Sequence, residues 1–79
     1  MITSAQIRAA RALLDWSRAD LSITSGVGAS ALMRLESAVG IPSGNIKTFE
    51  AVQKALEEQG IEFIGTPENG AGVRWKPQS

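Results

Sequence analysis

The chain contains neither cysteine nor histidine among its 79 residues. Without cysteine it can form no disulfide and can use no thiolate. Without histidine, the usual zinc ligand and the usual general base are both missing. Its serine hydroxyls therefore have no histidine to activate them as nucleophiles. We expect a protein that is not an enzyme and that has no catalytic residue, no metal site and no cofactor.

Long hydrophobic runs are also missing. No apolar stretch is long enough to span a bilayer, and the N-terminus lacks the basic-then-apolar pattern of a secretory signal. We expect a cytoplasmic protein, associated with the nucleoid, that has no membrane partner.

Net charge is zero, but the charges are unevenly distributed. Residues 1–49 carry five basic and three acidic residues, whereas residues 50–79 carry three basic and five acidic residues. The N-terminal part is therefore the more basic, which predicts modest non-specific binding to nucleic acid. The apolar fraction of 43% is ordinary for one small globular domain. A single copy buries only roughly 60% of its unfolded surface, so a lone monomer would be marginally stable.

The first helix is marked by a capping pattern. Thr3 is followed three residues later by Gln6, which is typical of a capping box. Apolar residues then recur at helical spacing, and we predict helix 1 over about residues 4–16. Trp16, at its end, is expected to be a partly buried packing residue.

The segment from Ser17 to Glu36 predicts two short helices joined by a tight turn. Ser17 is a good N-cap for helix 2, over about residues 18–25. Gly26 stands where a helix end needs a positive φ, and helix 3 follows over about residues 29–37. The apolar residues spaced to meet between the helices are Leu21, Val27, Leu32 and Leu35. This layout is that of a helix-turn-helix, whose second helix can lie in the DNA major groove.

The rest of the chain predicts one more helix and a hairpin. After a loop over residues 37–44, Asn45 caps helix 4, over about residues 46–59. The last segment, residues 61–76, alternates in polarity at both ends and predicts a β-hairpin with a long loop over residues 65–72. One face of the hairpin would carry Ile61, Phe63, Val73 and Trp75.

That hairpin face has two interpretations. It can cover the helical core within one chain, or it can form a dimer interface in which edge strands pair across a two-fold axis. We favour the dimer interface, formed by all four residues, because a small chain gains buried area by dimerising. The whole chain is then one mainly α domain, in which residues 1–60 form the helix-turn-helix unit and residues 61–76 form the hairpin.

These residues resemble the Cro and phage-repressor type of helix-turn-helix, also called the xenobiotic-response-element family. The resemblance lies in Gln6-Ile7-Arg8-Ala9-Ala10-Arg11, Leu14, Asp20-Leu21, Gly26-Val27, Leu32 and Arg34-Leu35-Glu36. Further matches to a small bacterial subgroup with a C-terminal strand pair are Pro42, Thr48-Phe49, Val52, Ala55-Leu56-Glu57 and Gly60-Ile61-Glu62-Phe63. The resemblance implies a four-helix, lambda-repressor-like fold that binds double-stranded DNA.

The resemblance also implies roles for single residues. Those on the outer face of helix 3 would read base edges: Ala29, Ser30 and Arg34, together with Met33, which shares that face. Those placed to bind phosphates are Ser17, Arg18 and Ser37, and by extension Ser43, Asn45 and Lys47. Ala29 can touch a thymine methyl group but cannot form a side-chain hydrogen bond, so Arg34 is left to make the bidentate contact with guanine. Glu36 is expected to be structural.

The function expected from this pattern and resemblance is that of a transcriptional regulator that binds a palindromic operator as a homodimer. The alternative is a protein-interaction module on the same fold, resembling an anti-activator or antitoxin, with weak or no DNA binding. Zero net charge and the small tip at Ala29, Ser30 and Ala31 favour the alternative. There is no sensing domain, so no small-molecule ligand is expected.

Overall fold

Four helices and a two-stranded hairpin follow one another along the chain in a computed structural model that describes residues 2–39 and 45–77. The elements are α1 (Ser4–Leu14), α2 (Arg18–Ser25), α3 (Ala29–Ser37), α4 (Ile46–Glu58), β1 (Ile61–Thr66) and β2 (Asn69–Trp75). The predicted class, mainly α with a C-terminal β-hairpin, is confirmed.

Side chains set the starts of α1 and α2 as the capping patterns predicted. The Thr3 hydroxyl accepts a hydrogen bond from the Gln6 backbone, and the Gln6 side chain accepts one from the Thr3 backbone in return. Ser17 and Asp20 form the same reciprocal pair at the start of α2. Each box satisfies two backbone donors that the helix itself leaves without partners.

Helix α1 is shorter than predicted. It ends at Leu14 rather than near Trp16, because Asp15 adopts a left-handed conformation with φ of 56°. The Asp15 and Trp16 amides then turn back to donate to Ala12 and Arg11 carbonyls. Trp16 follows the helix and packs, partly buried, against the core, as predicted for that residue.

The helices enclose one apolar core. It comprises Ile2, Ile7, Ala10, Leu21, Val27, Leu32, Leu35, Phe49, Val52, Ala55, Leu56 and Ile61. Helix α4 packs against both α2 and α1, and it leads directly into β1. The predicted inward residues of the helix-turn-helix unit are therefore confirmed as core residues. No helix within residues 2–39 and 45–77 combines the length and apolar character needed to cross a membrane.

The hairpin has a short turn instead of the predicted long loop. Strand β1 runs on to Thr66, β2 begins at Asn69, and only Pro67 and Glu68 form the turn. Thr66 lies opposite both Asn69 and Gly70, so the pairing is irregular near the turn. The structure accommodates this irregularity with positive φ angles at two glycines, Gly65 and Gly70.

A glutamine fastens the hairpin to the helices. The Gln6 side-chain NH₂ group donates to the Ile64 carbonyl at 3.1 Å and to the Gly72 carbonyl at 2.9 Å, while its oxygen serves the capping box of α1. Ile64 and Gly72 are partners across the two strands. One side chain, 4% exposed, therefore contacts both strands and the start of α1.

Candidate nucleic-acid interface

The turn between α2 and α3 is held by two serine hydroxyl groups. Ser22 Oγ donates to the Val27 carbonyl at 2.6 Å, and Ser25 Oγ accepts from the Val27 amide at 3.2 Å. Gly26, with φ of 75°, donates its amide to the Ser22 carbonyl at 2.9 Å. A left-handed residue at this position favours glycine, which has no Cβ. The turn thus has a fixed shape that sets the relative placement of the two helices.

Helix α3 buries one face and exposes the other. Leu32 and Leu35 enter the core on the inner face. The residues on the outer face are Ala29, Ser30, Met33, Arg34 and Ser37, all of them exposed. The four predicted base-reading residues therefore lie together on one accessible helical surface.

Arg34 is the one cation on this surface of α3. None of the ion pairs between described residues involves Arg34. Its guanidinium offers five N–H donors in a planar arrangement, which suits a bidentate acceptor such as a guanine edge. Beside it, Met33 is 52% exposed and contributes an apolar contact area.

Behind the outer face, Glu36 binds two arginines from the other helices. Its carboxylate accepts two bonds of 2.8 Å from Arg11 of α1 and one of 3.3 Å from Arg18 of α2. The Glu36 side chain is 1% exposed, against 20% for Arg11 and 38% for Arg18. A single carboxylate therefore links three helices, as expected for a structural residue.

The predicted phosphate-binding residues at the start of α2 are already engaged within the chain. The Ser17 amide and hydroxyl bond with Asp20, and the exposed Asp20 carboxylate adds negative charge at this end of the helix. Arg18 donates to Glu36 through Nε. The two terminal nitrogen atoms of its partly exposed guanidinium are left as donors for another group. Arg18 is therefore better suited than Ser17 to meet a phosphate.

The remaining predicted phosphate contacts are spread over two helices. Ser37 is exposed at the end of α3, where its hydroxyl donates to the Met33 carbonyl at 2.6 Å. Asn45 caps α4 by accepting from the Lys47 amide at 2.8 Å, and both residues are exposed. Ser43 lies outside the described residues.

The four hairpin residues predicted to form a dimer interface are used unequally. Ile61 is 1% exposed and belongs to the core of its own chain. Phe63 and Val73 pack, partly buried, against the same core. Trp75 is 50% exposed and lies across Gly60, where α4 meets β1. The hairpin thus covers the helices, and Trp75 is the most exposed of the four residues.

The sequence analysis did not predict the contacts that α1 makes with the end of α3. Ser4 Oγ donates to the Leu35 carbonyl, and Arg8 donates to the Glu36 carbonyl. Together with Arg11, these residues recur at intervals of four and three along α1, which places them on one helical face. That periodicity of polar residues is the signal that was available in the sequence.

The buried polar side chains in the described part of the chain all have hydrogen-bond partners. No buried side-chain nitrogen or oxygen within residues 2–39 and 45–77 lacks a hydrogen-bond partner. The candidate site is the exposed outer surface of α3. Comparison of the chain with protein-family models, with curated proteins and with solved structures finds no match in any of the three.

Proposed function

We propose that this protein is a sequence-specific DNA-binding regulator that inserts α3 into the major groove. The observation that carries the proposal is the exposed outer face of α3, with Arg34 in no ion pair between described residues, on a helix whose opposite face is buried. The major groove admits an α-helix and presents guanine acceptors that an arginine can bind with two hydrogen bonds. Arg18, at the start of α2, supplies a phosphate contact beside this helix.

We further propose that two copies bind a palindromic operator. A single α3 with one long polar side chain makes few base contacts, so one copy alone would bind weakly. Two recognition helices one helical turn apart, about 34–36 Å, read both halves of a symmetric site.

Selection of bound sequences from random duplex DNA tests the proposal, followed by gel shifts with variants. Arg34→Ala should remove the preference for the selected sequence, since a bidentate arginine–guanine contact is worth about 1–3 kcal/mol of discrimination. Arg18→Ala should weaken binding to all sequences alike and reduce the salt slope by about 1. Lys54→Ala, which removes the same charge from an exposed position on α4, is the control. Binding by Arg34→Ala as selective as that of the wild type would refute the base-reading role.

A second candidate function is protein binding through the same surface. Met33 is 52% exposed beside the small residues Ala29 and Ser30, and Ile23 on α2 is 82% exposed. Exposed apolar side chains on adjacent helices favour a protein partner. Failure of the wild type to be retained on heparin or DNA–cellulose at low salt would favour this function over DNA binding.

A further inference from the structure

The two ends of α3 are completed in different ways. At its start, Gly28 occupies the N-cap position and provides no side-chain hydrogen bond. At its end, Ala38 is extended, with φ of −67° and ψ of 151°. The last four carbonyls of a helix have no partner within the helix. Here two of them, those of Leu35 and Glu36, accept hydrogen bonds from α1.

Three side chains of α1 reach this end of α3 from one helical face. Ser4 binds the Leu35 carbonyl, Arg8 binds the Glu36 carbonyl, and Arg11 binds the Glu36 carboxylate with two bonds of 2.8 Å. Charge-assisted and bidentate hydrogen bonds of this kind are strong and directional. Ser4 is 0% exposed and Glu36 is 2% exposed, so much of this contact is sheltered from water. These bonds meet at two consecutive residues that immediately follow Arg34.

We propose that Ser4 and Arg8 are positioning residues that aim Arg34 at the DNA. By fixing the last turn of α3 against α1, they set the direction from which the Arg34 guanidinium reaches a base edge. Bidentate recognition requires placement within about 0.5 Å and 10–20°. The inference rests on the proposed function. It adds that discrimination between DNA sequences depends on the last turn of α3, which Ser4 and Arg8 hold against α1.

Arg8 has a competing role that must be separated from this one. Its side chain is exposed, and an exposed arginine near DNA can simply bind a phosphate. A lost phosphate contact lowers affinity for every sequence and reduces the salt slope by about 1. A lost positioning contact leaves the slope unchanged and lowers the ratio of specific to non-specific affinity.

Ser4→Ala is the decisive variant because Ser4 is buried and cannot touch DNA. We compare it with Ile7→Val, which trims a fully buried side chain of the same helix and controls for loss of stability. Affinities are measured for the selected duplex and for a scrambled duplex of equal length, at a temperature where every variant is folded by circular dichroism. Ser4→Ala should lower the affinity ratio about fivefold, the lower end of what one bidentate base contact provides. Ile7→Val should stay within about twofold.

Two substitutions at Arg8 complete the test. Arg8→Gln should lower the affinity ratio with an unchanged salt slope, and Arg8→Lys should restore the ratio because an ammonium group can still donate to the Glu36 carbonyl. If Ser4→Ala discriminates as well as Ile7→Val, the positioning role is wrong. It is also wrong if Arg8→Gln weakens both duplexes equally and reduces the slope by about 1.

Amide hydrogen exchange of the free protein separates this inference from the proposed function. Ser4→Ala should speed exchange in the last turn of α3 by about two- to tenfold, the effect of one lost hydrogen bond, and should leave the first turn unchanged. If the wild type selects no DNA sequence, the proposed function fails. The exchange rates still show whether Ser4 holds the last turn of α3 against α1. Unchanged protection of the last turn would show that α1 does not hold it.

Discussion

Glu36 carries the most heavily buried charge in the described part of the chain, and its two arginine partners are not equivalent. Arg11 makes two bonds of 2.8 Å and is 20% exposed, whereas Arg18 makes one bond of 3.3 Å and is 38% exposed. A buried carboxylate that loses its partner costs far more than an exposed pair gains. The stability of the unit should therefore depend mainly on Arg11, which leaves Arg18 available for a ligand.

This difference gives a prediction for two matched variants. Arg11→Met should lower the free energy of unfolding by about 3 kcal/mol, because Glu36 stays buried with only its weaker partner. Arg18→Met should lower it by less than about 1 kcal/mol, as for a pair near the surface. Urea denaturation measures both values. Equal losses for the two variants would show that the arginines share Glu36 evenly.

Gly65 and Gly70 make a second matched pair. Both have positive φ, but a Cβ on Gly70 meets open space, whereas a Cβ on Gly65 would overlap the backbone of Gly70. Gly70→Ala should cost about 1–2 kcal/mol of stability, which is the left-handed penalty alone. Gly65→Ala should cost clearly more, because backbone atoms must also shift. Thermal unfolding compares the two, and similar midpoints would contradict the close approach.

At the scale of elements, Gln6 joins α1 to the hairpin through a side-chain amide whose NH₂ group and oxygen both form hydrogen bonds. Gln6→Glu keeps the acceptor for the capping box but sets a carboxylate against the Ile64 and Gly72 carbonyls. We expect a loss of about 3 kcal/mol, since buried acceptors lose their donors and face a like charge. Gln53→Glu on α4 replaces a 3.5 Å contact with Glu57 by a like-charge pair, but that pair is exposed and should cost only about 0.5 kcal/mol. Equal effects in denaturant titrations would mean that this amide does not fasten the hairpin.

The helix starts were predictable because capping is local. Thr3 with Gln6 and Ser17 with Asp20 act over three residues, and the sequence alone places them. The end of α1 was not predictable, because Asp15 adopts a conformation that usually favours glycine. The length of the hairpin loop was predicted too large because its glycines are typical of a loop. In the structure these glycines instead allow close, irregular pairing of the two strands.

The candidate site was predictable only on its outer side. Helical periodicity places Arg34 and Met33 on the exposed face, because that depends on spacing along α3 alone. The bonds from Ser4 and Arg8 to carbonyl groups of α3 depend on how two helices cross, which spacing does not specify. The burial of Ile61 likewise depends on where the hairpin docks, which the polarity pattern of the strand does not specify.

At the scale of the whole molecule, the proposed pairing of two copies should depend on Trp75. Trp75→Ser should shift the protein from dimer to monomer in analytical ultracentrifugation, because this half-exposed ring is the largest apolar group that the hairpin leaves uncovered. Ile23→Ser removes an even more exposed apolar side chain from α2 and should leave the dimer intact. A dimer that resists Trp75→Ser, or that is lost in Ile23→Ser, would place the contact elsewhere.

The double duty of Gln6 also bears on how such a chain can evolve. A capping box accepts glutamate as readily as glutamine at this position, so the start of α1 alone would not distinguish the two residues. Only the strand carbonyls require an amide. In a lineage that keeps the two strands, position 6 should remain glutamine, and in one that loses them it should drift to glutamate. The identity of the residue at position 6 would thus indicate whether a related chain keeps the C-terminal hairpin.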